Sequence, residues 1–76
     1  MKKMFYILIH DRHVDDRVIF YRGTAEEAVQ KALTILKGIR PYEVQDNWVE
    51  KPEATGLIWW ASMQDGDYTA QVGVPE

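Results

Sequence analysis

Only one stretch of the chain, Gly23 to Ile39 ("GTAEEAVQKALTILKGI"), carries helical periodicity, and this shortage of helix limits the fold more than any other feature. Thr24 followed by Glu27 has the spacing of a capping box, in which each side chain accepts a hydrogen bond from the other's backbone N–H. Ala25, Ala28, Val29, Ala32, Leu33 and Leu36 then recur every three or four residues as one apolar stripe. Gly38 suits the left-handed position beyond a helix, and Pro41 stops continuation. The remaining apolar runs are short and rich in β-branched and aromatic residues: Met4–His10, Arg17–Arg22, Gly56–Met63 and Tyr68–Val74. A short strand near Tyr42–Gln45 is a weaker reading, since Lys-Pro and Asp-Asn steps interrupt that region. Polar Asp11–Asp16 reads as the loop of a first hairpin, and Asp65-Gly66 as the turn of a second. The expected fold is α+β: a four-stranded, mainly antiparallel sheet in ββαββ order, with one helix packed on one face.

Such a helix, about 21 Å long, covers one side of a small sheet and leaves the other. A solvated second face calls for alternation, yet "FYILI", "VIFY" and "LIWWA" are apolar at successive positions. Three covers suggest themselves: a second copy of the chain, a different protein, or the segment Tyr42–Ala54 folded across. Tyr6, Tyr21, Trp59 or Trp60, and Tyr68 are the candidate lining, because tyrosine and tryptophan tolerate partial exposure. A symmetric homodimer is the expectation.

Seventy-six residues suffice for one domain, residues 1–76, and with no cysteine that domain must be stabilised without disulfides, which favours a cytoplasmic home. The apolar run Phe5–Ile9 is too short to span a membrane or serve as a signal sequence. Net charge is −3, with Lys and Arg concentrated before Arg40 and acids after it. That asymmetry bears on partners, not on fold.

Chemistry finds little support. "IHDRHVDD" gathers His10, Asp11, His13, Asp15 and Asp16, residue types that hold zinc, manganese or iron and could serve a metal-dependent hydrolase. On one extended strand, however, residues three apart point to opposite faces. Nucleophilic catalysis has no cysteine and no motif around Ser62, and the five glycines are isolated, so no phosphate loop exists. No catalytic residue, metal or cofactor is expected. Lys2, Lys3, Arg12, Arg17 and Arg22 could bind nucleic acid next to Tyr6 and Tyr21, though the acidic remainder opposes phosphate.

The string "RGTAEEAVQKAL", Arg22 to Leu33, resembles the Gly-Asp-Thr-x-Glu-Glu-Ala passage of HicB-like antitoxins, and the likeness extends over Met4–Lys37. It implies a partial RNase H fold and an antitoxin or nucleic-acid regulator. The family's Pro-Asp-Leu-Pro-Gly-Cys segment and its third strand before the helix are missing. In size and layout the chain is also similar to small acidic phage-encoded inhibitors of host defence, including anti-CRISPR proteins. The leading expectation is a non-catalytic module for protein–protein interaction that presents a sheet surface and an acidic edge. Trp48, Trp59, Trp60 and Tyr68 would serve as anchors, and Glu43, Asp46 and Glu50 would steer a basic partner.

Overall fold

A computed structural model of the chain describes residues 3–39, 41–50 and 56–75. Strands β1 (Lys3–Asp11), β2 (Val14–Gly23), β3 (Gln45–Trp48), β4 (Leu57–Met63) and β5 (Tyr68–Gly73) form one sheet in the order β2-β1-β5-β4-β3. All neighbours are antiparallel. Helix α1 (Ala25–Ile39) follows β2 at one edge and packs over β2, β1 and β5 on its way towards β3 at the other. Its length, about 22 Å, matches a sheet whose four strand spacings total about 19 Å.

The class is therefore as the sequence implied, an α+β arrangement of one helix on an antiparallel sheet, with a correction to the strand count: there are five strands. The additional strand, Gln45–Trp48, begins three residues beyond the start of the weaker reading at Tyr42–Gln45. It is exposed throughout and polar except for Trp48, so neither hydrophobic alternation nor β-branched residues mark its bounds. It forms because β4 offers a free edge, to which it pairs from Gln45↔Ser62 to Trp48↔Trp59. The described part of the Tyr42–Ala54 segment thus extends the sheet instead of folding across it; the rest, residues 51–54, lies outside the described residues.

The cap of α1 is made as its sequence requires. Thr24 N–H donates to Glu27 Oε1 at 2.9 Å, and Glu27 N–H donates to Thr24 Oγ1 at 3.2 Å. Ala28, Val29, Ala32 and Leu36 bury against Phe5, Ile7 and Ile9 of β1, Trp59, Ala61 and Met63 of β4, and Tyr68, Ala70 and Val72 of β5. Each strand contributes alternate residues, which is the strand period acting on one buried face.

A second correction concerns the first hairpin. Asp11–Asp16 is not a six-residue loop: the strands run on until only Arg12 and His13 turn the chain. Asp11 Oδ1 accepts a hydrogen bond from His13 N–H at 2.9 Å, the aspartate-built turn that lets so short a connection close. Between Ile9↔Arg17 and Asp11↔Val14 the register slips, so that Asp15 and Asp16 together oppose His10 in a β-bulge. The other turn, Gln64–Gly66, holds Gln64, Asp65 and Gly66 at positive φ (53°, 55° and 93°). Arg12 ties the two tips together: its N–H donates to the Asp67 carbonyl and its guanidinium to Asp67 Oδ2, both at 3.0 Å.

Candidate functional site

The face of the sheet opposite α1 is uncovered among the described residues. Cross-strand register orders its side chains into rows. Phe20, Tyr6 and Gly73 form one row; Val18, Leu8, Gln71, Trp60 and Asn47 form the next; His10, Thr69, Ser62 and Gln45 form a polar row near the turns. Met4 faces Arg22 beyond Tyr6. Phe20 is 62% exposed, Val18 54%, Trp60 39% and Met4 38%, too open for a finished core and too apolar for an ordinary solvated face. The surface is thus graded, with large apolar groups over β2 and β1 and hydrogen-bonding groups towards the hairpin tips.

Tyr6 shapes this face. A Cβ at residue 73 would run into the Tyr6 ring, so the bare backbone of Gly73 is the ring's seat. The ring therefore lies down over β5, flattening the middle of the surface. Gln71 and Trp60 continue it sideways.

The anchors named from the sequence separate. Trp60 lies on the open face, whereas Trp59 is fully buried and Tyr68 nearly so, both on the helix side. A bulge at Ile58 between Leu57↔Gly73 and Trp59↔Val72 sets which tryptophan turns inward. Trp59 and Tyr68 are therefore core residues and offer a partner no surface. Trp48 is exposed at the β3 edge but pairs with Trp59, so it points away from Trp60. Asp46 accepts a hydrogen bond from Trp59 Nε1 at 3.0 Å, a structural role that its charge did not reveal. Glu43, Asp46 and Glu50 are exposed on or beside β3, which gives this edge an acidic character.

His10 and His13 also part. His10 stands on the open face and its Nδ1–H donates to Asp16 Oδ1 at 2.6 Å, the carboxylate fixing the tautomer. The His13 ring lies 6.2 Å from that of Tyr68, towards the helix side. The two imidazoles cannot share an ion, and among the described residues no three His, Asp or Glu side chains converge as metal ligands.

The basic set is likewise divided. Arg12 is engaged with Asp67, Lys3 and Arg17 belong to the helix side of the strands, Arg22 belongs to the open face, and Lys2 lies outside the described residues. The described basic residues of the set are thus divided between the two faces and the hairpin tip. The passage Arg22–Leu33 that resembles HicB-like antitoxins is, in the structure, the end of β2 with the capping box and first turns of α1.

No described helix is long and apolar enough to cross a membrane. Comparison with protein-family models, curated proteins and solved structures finds no match to this chain. The open face was half legible in advance: apolar residues on both sides of the strands announced it. Which aromatic residues face outward was not, because the bulge at Ile58 has no sequence marker.

Proposed function

We propose that this chain is a protein-binding module that docks its open sheet face on a partner protein, with the acidic β3 edge as a flanking charged rim. The observation that carries this reading is the exposure of Met4, Val18, Phe20 and Trp60 on a single uncovered face. Flat apolar surface of this kind gains free energy when a partner removes it from water, at about 25 cal/mol per Å². Aromatic anchors such as Phe20 and Trp60 concentrate that gain, while the neighbouring polar row supplies hydrogen bonds that fix orientation. An inhibitor that occupies a surface of a larger assembly is one form such a module takes.

The test uses variants on two faces. Leu8→Lys and Trp60→Lys alter the open face, and Gln30→Lys alters the exposed outer side of α1. The first two are expected to abolish retention of the partner captured from native extract while the thermal midpoint stays close to that of the parent chain. Gln30→Lys is expected to keep both. A partner retained by Trp60→Lys and Leu8→Lys but lost by Gln30→Lys would overturn the assignment of the face.

A further inference from the structure

We infer that the protein pairs with a second copy of itself through the free edge of β2, antiparallel about a two-fold axis at Ile19, with Asp16 of each copy facing Arg22 of the other. The two sheet edges differ sharply. β3 is four residues long, three of them polar, and so short an edge with an aspartate in it discourages strand addition. β2 is ten residues long, contains no proline or lysine, and runs Val18-Ile19-Phe20-Tyr21 through its middle. Its only irregularity, the bulge at Asp15 and Asp16, lies at the hairpin end, so the edge is regular from Arg17 onwards, and Asp16 stands at the border of that regular stretch.

Charge complementarity selects the occupant and the register. With Ile19 opposite the partner's Ile19, the open face brings Val18 against Phe20 and Asp16 against Arg22, twice by symmetry. On the helix side, Arg17 meets the Tyr21 ring, an arrangement that favours the guanidinium over the aromatic face. Centring on Val18 instead sets Asp16 against Phe20 and Arg17 against Ile19; centring on Phe20 sets Arg22 against Val18. Both leave the charges opposite apolar groups. Within one chain, Asp16 and Arg22 are six positions apart, about 20 Å along a strand, so they cannot satisfy each other. Arg17 and Arg22 form no ion pair among the described residues, and Asp16 uses Oδ1 for His10, which leaves Oδ2 for the partner's Arg22. A two-fold axis perpendicular to the sheet keeps both helices on one side and joins the two open faces into one surface. The pairing is independent of what docks on that surface.

Sedimentation equilibrium of the full chain over a wide concentration range tests the proposal. The parent chain is expected to dimerise, Asp16→Arg and Arg22→Asp each to weaken the dimer by about tenfold, and the double variant D16R/R22D to restore it. Restoration reports on pairing between chains, since the double variant still lacks the His10–Asp16 bond. Because the chain has no cysteine, Ile19→Cys supplies an independent reading: under oxidation it is expected to cross-link faster than Phe20→Cys. A parent chain that stays monomeric, a dimer indifferent to the single reversals, or one not restored by the double variant would overturn the proposal. If a reversal fails to fold by circular dichroism, the Ile19→Cys result decides, and absence of cross-linking refutes the pairing.

Discussion

Asp46 shows how a side chain's charge misdirects and its position corrects. It sits among exposed acids on an edge strand, yet its carboxylate is the acceptor for the indole N–H of Trp59, a fully buried ring. Removing that acceptor leaves a donor with poor access to water, at a cost of about 1–3 kcal/mol. Asp46→Ala is therefore expected to lower the urea midpoint measurably, whereas Asp46→Asn, which keeps a side-chain oxygen, is expected to lose much less. Equal losses for both would show that the indole does not depend on this bond. The sequence identified both residues as noteworthy but as partner-facing, because neither the length of β3 nor the bulge at Ile58 can be read from residue types. His10 and His13 separate for a reason other than strand alternation: His10 stands on β1, whereas His13 lies in the turn and its ring is carried to Tyr68.

At the scale of the element, legibility follows the strength of periodicity. α1 was readable at its start and along its buried face, since the Thr24–Glu27 box and the apolar stripe are local signals that tertiary packing reinforces. Its end was not, because Gly38 lies within the helix, which runs to Ile39, and does not take the left-handed conformation. The box gives a sharp expectation. Thr24→Ala deletes the acceptor for Glu27 N–H and should cost about 1 kcal/mol, read as a lower denaturation midpoint with an unchanged slope. Thr24→Ser, which keeps the hydroxyl, should cost far less; an unchanged midpoint in Thr24→Ala would mean that the cap contributes nothing. The strands were readable where they alternate or are β-branched and unreadable where pairing alone makes them, as in Gln45–Trp48. Sheet order was also hidden. β5 lies between β1 and β4, and its register against β1 places Gly73 beneath Tyr6, a contact between residues far apart in the chain.

For the whole molecule, one layer of helix on one layer of sheet makes cover and hydrogen bonding uneven, and that unevenness is measurable. β1 and β5 have strand neighbours on both sides and α1 above them, while β2 and β3 each have one free edge among the described residues. Amide exchange in the native state should therefore be slowest at Ile7, Ile9, Ala70 and Val72, near the limit set by global unfolding, and fastest in β3. β2 is the informative strand. In an antiparallel ladder the backbone groups of successive residues alternate between the two neighbours, so about half of the β2 amides bond β1 and the others point outward. In a single copy those outward amides exchange freely. Pairing about Ile19 would slow them as concentration rises, leaving the β3 amides unchanged. Concentration-dependent protection in β3 instead would place the second copy on the acidic edge, and protection spread over Leu8 and Trp60 without β2 would indicate copies meeting face to face. The expected pattern, alternate residues from Asp16 to Arg22 alone, follows from the long apolar edge left unpaired among the described residues.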